Sequence, residues 1–293
     1  MPKKSEKSGP GLSVVQERFI GIFLAQWEEL LRLRRVVLKT SGQDDIHDLR
    51  VASRRFRAVL DLYCRLSSKC VEQGMIKNVR KLTRTLGFLR NLDEAGVFFQ
   101  ARIVTEVFSE SILKRSLSGV RSRELRRMGK ALSSFEHRKL DRIVRKIVAK
   151  IRLDRITERN DPSIPAFFSE ISASMYWPVQ EALAVSTVSG HRAERHALRI
   201  AIKKWRYFLE IVAQVLNRDC SRILEQLKEY QSFLGRMNDI VEFEALLRDM
   251  DLPKNESDNA EAILAAEDAK LLAGFRELVE RNPLMHYDLL NSE

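Results

Sequence analysis

Helical periodicity is the feature that most limits what this chain can fold into. Apolar residues recur every three or four positions along nearly its whole length, and no segment sustains the alternation of a half-buried strand. The 293 residues include only 12 glycines and 7 prolines, the residues that most often interrupt helices. A hydrophobic fraction of 44% is sufficient for a large core. The sequence therefore predicts an all-α protein.

One strong break divides the predicted helices into two groups. The segment "RNDPSIP", residues 159–165, combines Asn, Asp and Ser with two prolines. We expect a disordered lead-in over 1–11, a single domain over 12–280 made of bundles at about 12–158 and 164–280, and a C-terminal tail over 281–293. The predicted helices cover residues 12–39, 44–65, 70–90, 92–108, 120–133, 138–157, 164–186, 190–216, 219–236, 238–250 and 257–280.

The stretch "DDIHDLRVASRRFRAVLDLY", residues 44–63, predicts an amphipathic helix with an unusually cationic front. Four residues at positions i, i+3, i+7 and i+10 share one face, and we call them the first basic stripe: His47, Arg50, Arg54 and Arg57. Like charges on neighbouring helical turns repel each other. Either solvent disperses that repulsion, which is the ordinary explanation of a charge run, or a bound anion cancels it.

The same spacing occurs a second time, 149 residues later, in "ERHALRIAIKKWRYFLEIV", residues 194–212. The second basic stripe consists of His196, Arg199, Lys203 and Arg206. The pair Leu86–Gly87 is also repeated, 148 positions later, as Leu234–Gly235. Two motifs at one displacement predict an internal duplication, and a pseudo-two-fold axis would let the stripes face each other. A solvated surface does not require this repetition, so the repeat favours an anion-binding cleft.

In these two helices and two Leu-Gly motifs the sequence resembles the CHAD family of all-helical domains named for their histidines. The resemblance implies two four-helix bundles related by pseudo-symmetry, with a basic central cleft that binds inorganic polyphosphate. It places ligand-facing positions on both basic stripes. Further basic residues beside them complete the expected polyphosphate-binding set: Arg55, Lys77, Arg80, Lys81, Arg84, Arg90 and Lys204.

The sequence departs from the family pattern at two places. Asn91 follows Arg90 where the family usually has an aspartate. The basic face of Lys77, Arg80, Lys81 and Arg84 aligns in the second half with Glu225, Lys228, Glu229 and Ser232. Since only one of these four is basic, we expect the first bundle to supply more of the binding charge.

Catalysis is not expected of this chain. Many CHAD domains are fused to a triphosphate-tunnel catalytic domain, which needs a Glu-x-Glu-x-Lys strand. The nearest string here, Glu242-Phe243-Glu244, lies in helical sequence and lacks the lysine. We therefore expect a stand-alone binding domain that is not an enzyme and needs no cofactor.

Composition agrees with a polyanionic ligand. Lys and Arg total 51 against 40 acidic residues, which gives a net charge of +11 and favours phosphorylated polymers. Nucleic acid is the nearest alternative, but no aromatic residues interleave with the basic stripes as a base-stacking platform would need. A metal site at the histidines is a weaker alternative, because cationic neighbours oppose a divalent ion. Polyphosphate hydrolysis is a further alternative that Asp93 and Asp239 keep open.

The expected location is the cytoplasm, in association with polyphosphate granules. Cys64, Cys70 and Cys220 form no CxxC motif or even framework, which favours a reducing compartment and a packing role for each. The most apolar run, "FIGIFLAQW", is about half the ~20 residues that a membrane span needs. No membrane contact is therefore expected, and the oligomeric state stays open.

Overall fold

The computed structural model describes residues 13–67, 73–103, 107, 111–153 and 163–289. Within these ranges the all-α prediction is confirmed: the chain forms nine helices and no strand. The helices are α1 (Val14–Thr40), α2 (Gln43–Leu66), α3 (Gln73–Gln100), α4 (Ile112–Ser133), α5 (His137–Leu153), α6 (Ser163–Ser186), α7 (Arg192–Leu216), α8 (Ser221–Arg248) and α9 (Lys254–Arg281).

Side-chain caps and left-handed residues set several helix ends. α1 begins with a capping box, in which Ser13 Oγ accepts from the backbone N–H of Gln16 and the Gln16 side chain accepts from that of Ser13. Ser41, with a φ of 53°, caps the C-terminal end of α1, and Asn217, with a φ of 54°, caps that of α7. Both are left-handed C-terminal caps of the common type.

Two predicted breaks are wrong, because α3 and α8 each run for 28 residues without interruption. The breaks were placed at residues 91 and 237, beside the Leu-Gly motifs. A glycine or asparagine in a helix weakens it by less than about 1 kcal/mol, and the apolar face of α3 continues beyond Asn91 through Leu92, Ala95 and Phe99. Tertiary packing therefore outweighs the local preference.

Other boundaries shift by smaller amounts. α3 ends at Gln100 rather than at residue 108, and α4 begins at Ile112, eight residues before its predicted start at 120. The outer ends of the helices predicted at 12–39, 70–90 and 138–157 lie partly outside the described residues. The whole predicted lead-in at 1–11 and most of the predicted break at 159–165 also lie outside the described residues.

The helices form two groups that meet along one seam. α1 to α4 pack in sequence order and α4 returns to α1, while α6 to α9 also pack in sequence order. The seam forms where α2 contacts α7 and α3 contacts α8, and where α1 also contacts α7. α5 packs on α1 of the first group. The internal duplication itself stays a prediction.

The apolar backs of both basic helices are buried as predicted. Phe56 of α2 packs against Trp27, with ring centroids 5.2 Å apart, and Trp205 of α7 packs against Tyr176 at the same distance. The indole of Trp205 also donates to Ser172 Oγ at 3.0 Å. Because these faces are fixed in the core, the basic stripes must point away from it.

The segment after α9, which the sequence sets apart as a tail, packs on α6. Leu284 and Leu289 are buried, and Tyr176 Oη donates to the backbone oxygen of Leu284 at 3.1 Å. Ser169 Oγ donates to Asp288 at 2.8 Å. These contacts make residues 284–289 part of the folded body.

Two further expectations concern cysteines and membranes. Cys220 is free and buried, in agreement with a packing role. Cys64 also packs against the core, but it takes part in a disulfide, which goes against the expectation of unpaired cysteines in a reducing compartment. Among the described helices, none has both the length and the apolar character that crossing a bilayer requires.

Candidate functional site

At the seam, the two basic stripes lie close enough for their charges to act on each other. Arg50 and Arg54 lie on α2, Arg199 and Lys203 lie on α7, and the positive charges of the first three act on Lys203. Arg90 of α3 joins them, because its charge acts on Arg50, Arg54 and Arg199. We call these five residues, drawn from three helices and both bundles, the central basic cluster.

Burial makes the charges of this cluster unfavourable. Arg50 is only 7% exposed, and burial, followed by the charges of Arg54, Arg90 and Arg199, lowers its pKa to about 9. Burial and the charges of Arg199, Arg54 and Arg50 lower the pKa of Lys203 to about 6. A cation that is both desolvated and beside other cations loses its preference for the charged form. The folded protein thus holds positive charge that a bound anion would stabilise.

Several arginines of the stripes also have unused hydrogen-bond donors. The Nε atoms of Arg50, Arg57, Arg199 and Arg206 are buried and have no hydrogen-bond partner within the part of the chain that the structure describes. A buried donor without a partner costs about 1–3 kcal/mol. An acceptor that entered the seam would relieve this penalty.

Asp239 of α8 is the counter-charge at the centre of the cluster. Arg90 Nη1 donates to Asp239 Oδ1 at 2.6 Å, and Arg90 Nε lies 3.3 Å from Glu94. Burial works to lower the pKa of Arg90, but the hydrogen bond and charge of Asp239, with the charges of Glu94 and Glu242, leave it raised. Arg90 is therefore fixed across the seam by an acid of the other bundle.

From the sequence, Asp239 is a candidate only for hydrolysis, and its role as a counter-charge is seen only in the structure. With the displacement of 148 residues, Asp239 aligns with Asn91, the position where the first half lacks the family's aspartate. Asn91 instead donates to Glu242 at 3.0 Å, also across the seam. Asp93 lies elsewhere and accepts from Arg121 Nε at 2.5 Å.

Tyr207 is a second residue that the sequence analysis missed. Tyr207 acts on Arg54 to favour its charged form, and the guanidinium of Arg206 lies 5.1 Å from the Tyr207 ring centroid. Its sequence signal was available, because Tyr207 follows Lys203 by four positions and so shares its helical face. Arg206 itself pairs with Glu210 at 3.2 Å, so part of its charge is already neutralised.

The first basic stripe continues along α2 beyond the central basic cluster. The charges of Arg57, Arg80, Arg65 and Lys204 all act on Asp61, four residues after Arg57. Arg57 is half-buried and Arg80 is exposed on α3. A second group of cations therefore follows the central basic cluster toward the C-terminal end of α2.

The remaining predicted site residues lie outside the central basic cluster. Four of them have exposed side chains: His47, Lys77, Lys81 and Arg84. His196 is also exposed, with Nδ1 2.8 Å from Asn238 Oδ1. Arg55 points elsewhere: its charge acts on Glu29 of α1, and it lines a cavity of about 380 Å³. A role in binding for these residues stays a prediction.

The arrangement suits an anion better than a metal ion. Within the described ranges, no group of three or more His, Cys, Asp or Glu side chains is placed to hold a metal. The central basic cluster instead offers guanidinium donors, which match the geometry of phosphate oxygens.

Comparisons with known proteins agree with this architecture. A family model described as "CHAD domain" matches residues 21–248. The crystal structure of the CHAD domain from the plant Ricinus communis is 21% identical, with a TM-score of 0.74, and the match covers 96% of this chain and 98% of that one. PptA from Streptomyces chartreusis is 17% identical, with a TM-score of 0.66, 91% of this chain covered and 98% of that one. No curated protein gives a significant match. At these identities the two structures establish a shared fold.

Proposed function

This chain belongs to the CHAD domain family, and from that premise we propose that it binds inorganic polyphosphate in the central basic cluster. The observation that carries the proposal is the meeting of both basic stripes across one seam, where Arg50 is buried and Arg54, Arg199 and Lys203 are half-buried. Asp239, already paired with Arg90, leaves most of this charge uncompensated.

A linear phosphate polymer fits such a site on chemical grounds. It presents a repeated negative charge and oxygen acceptors, but no bases to be read. Charge-assisted hydrogen bonds to it contribute about 1.5–3 kcal/mol each when well placed. The unpartnered Nε atoms of Arg50 and Arg199 would find acceptors there.

Binding without chemical conversion is part of the proposal. The nearest carboxylate, Asp239, is held by Arg90 at 2.6 Å and is thus occupied as a counter-charge. A cytoplasmic location at polyphosphate granules belongs to the same proposal, and microscopy of the tagged protein beside a polyphosphate stain tests it.

The direct test is a titration of the protein with polyphosphate at several salt concentrations. Since binding releases condensed counterions, log K is expected to fall linearly with log salt, as it does for nucleic acids. The variant Arg54→Gln/Arg199→Gln is expected to bind at least about tenfold more weakly. The control Lys254→Gln/Lys270→Gln removes two exposed charges from α9 and leaves affinity unchanged.

Competition separates polyphosphate from nucleic acid. Single-stranded RNA of equal total charge is expected to displace polyphosphate poorly, because base stacking needs several exposed rings and Tyr207, which lies beside the cluster, is half-buried. Equal competition would favour the nucleic-acid alternative. A flat response to salt, or no effect of the Arg54/Arg199 variant, would overturn the proposed site.

A further inference from the structure

α5 has one of its faces buried and the other almost entirely cationic. Its apolar side packs on the first bundle through Leu140, Val144, Ile147, Val148 and Ile151. The opposite side exposes Arg138, Arg142, Arg145, Lys146 and Arg152. Arg145 pairs with Asp141, whereas Arg138, Arg142, Lys146 and Arg152 have no ion pair within the described residues. We call these last four the α5 basic face.

The fold does not require this charge. α5 is held by its buried face, by the bond from Trp27 Nε1 to Asp141 Oδ1 at 3.1 Å and by that from Gln16 Nε2 to the Ile151 oxygen at 3.1 Å. Cations four residues apart on a helix repel each other. Neutral polar residues on that face would preserve the packing and avoid the repulsion.

The position of α5 connects this face to α2. The two contacts with α1 show that α5 runs antiparallel to it, which carries the C-terminal end of α5 back toward the end of α2. There Lys150 Nζ donates to Ser67 Oγ at 2.8 Å, one residue after α2 ends. Lys146 lies one helical turn before Lys150.

Cations also lead along α2 to the same point. Arg65 falls on the helical stripe of Arg50, Arg54 and Arg57, because it follows Arg50 by 15 positions. Asp61 interrupts the stripe, but the charges of Arg57, Arg65, Arg80 and Lys204 surround it. Positive charge therefore continues from the central basic cluster to the meeting of α2 with α5.

We propose that the α5 basic face is a second contact surface for the polymer, along which a long polyphosphate chain continues after leaving the central basic cluster. The inference rests on the proposed function and adds to it a preference for long chains. The helix from Arg54 to Leu66 is about 18 Å long, a distance that tripolyphosphate is too short to span. Tripolyphosphate thus occupies the central basic cluster alone, whereas a long chain reaches Lys146 and Arg142.

The test compares tripolyphosphate with long-chain polyphosphate on three forms of the full chain. These are the wild type, Arg142→Gln/Lys146→Gln on α5, and the control Lys254→Gln/Lys270→Gln on α9, which removes the same charge from exposed positions. The α5 variant is expected to bind the long chain about 3- to 10-fold more weakly, since exposed ion pairs are individually modest. Its slope of log K against log salt should fall by about two, one for each lost phosphate contact. Binding of tripolyphosphate should stay as in the wild type.

Four outcomes decide against the inference. If the α9 control weakens the long chain equally, overall charge and not a defined surface is responsible. If the α5 variant weakens tripolyphosphate equally, it acts on the central basic cluster. If single-stranded RNA loses as much affinity as the long chain, the face is a general contact for anionic polymers. If the wild type binds neither phosphate ligand, the proposed function itself fails. If the wild type still binds tripolyphosphate, a failed prediction counts only against the α5 basic face.

Discussion

The lowered pKa of Lys203, about 6, predicts that anion binding is coupled to proton uptake, because the amine is then largely neutral at pH 7. It faces Arg199 of its own helix, Arg50 and Arg54 of α2, and Asp239 of α8. A bound polyanion favours the charged amine and raises its pKa, so binding takes up a proton. Affinity for polyphosphate is therefore expected to fall as pH rises from 6 to 8, by up to about tenfold per pH unit. Calorimetry in buffers of different ionisation enthalpy measures the proton directly.

Lys203→Arg is the matched variant for this prediction. Arginine stays charged throughout the range, and the variant leaves His47 and His196 unchanged. The loss of affinity above pH 6 should become shallower in Lys203→Arg. An unchanged pH profile in this variant would show that Lys203 is not the coupled group.

The lowered pKa of Lys203 also predicts the direction in which the stability of the free protein changes with pH. Its folded pKa, about 6, lies below the value of 10.5 for an unperturbed lysine. Between these values the unfolded state binds more protons, so the contribution of Lys203 to the free energy of unfolding rises with pH. Denaturant unfolding from pH 6 to 9 should show this rise in the wild type and less of it in Lys203→Met.

Removing the charge of Asp239 and removing the charge of Arg54 are expected to have opposite effects on the affinity for polyphosphate. Asp239→Asn removes the partner of Arg90 and the counter-charge of the cluster, and should lower the free energy of unfolding by about 2 kcal/mol. Its affinity for polyphosphate should increase, because a negative charge leaves the site. Arg54→Gln should weaken binding but leave stability unchanged or slightly higher. Urea denaturation with parallel titrations checks both, and a clear loss of stability in Arg54→Gln would contradict the account of repulsion.

Two helical glycines, one crowded and one in open space, allow the packing of α8 on α9 to be tested. A Cβ at position 274 of α9 would lie 2.8 Å from Cε1 of Phe233 on α8, whereas one at position 235 meets nothing within 4 Å. Gly235→Ala should therefore stabilise the protein by about 0.5–1 kcal/mol through helix propensity. Gly274→Ala should destabilise it by about 1 kcal/mol, since overpacking outweighs that gain. Urea denaturation gives both values, and equal effects would contradict the close packing of α8 on α9.

The sequence predicted helix faces better than helix ends. Spacing alone identified the buried sides of α2 and α7, because burial of a continuous apolar face is a property of the whole helix. It failed at Asn91 and at Met237, close to Gly235, where local preferences of less than about 1 kcal/mol yield to packing. The role of Asp239 was not predictable, since its partner Arg90 lies 149 residues away on the other side of the seam. The repeat predicted which residues would face one another, but not which of them a neighbouring acid would neutralise.

For the whole molecule, the seam is what creates the site. Arg50 and Arg54 come from one bundle and Arg199 and Lys203 from the other, and neither bundle holds the four together. The seam is itself partly polar, with Arg90 bonded to Asp239 and Asn91 bonded to Glu242. Phe98 and Phe243 add an apolar contact, with ring centroids 5.3 Å apart. The two groups of helices are thus joined by specific contacts beside a concentration of like charge.

Polyphosphate should therefore stabilise the whole chain against heat. A ligand that binds the native state adds RT ln(1 + [L]/Kd) to the free energy of unfolding, about 2.7 kcal/mol at 100 times Kd. For a chain of this size that corresponds to a rise of about 5 °C in Tm. Orthophosphate at the same total phosphate concentration should give a much smaller rise, because it cannot contact both bundles at once. Calorimetry of the wild type and of Arg54→Gln/Arg199→Gln separates the two effects: the variant should lose the response to polyphosphate and keep the response to orthophosphate. Equal shifts from both anions in the wild type would mean that the basic stripes are ordinary solvated helix faces, screened by salt.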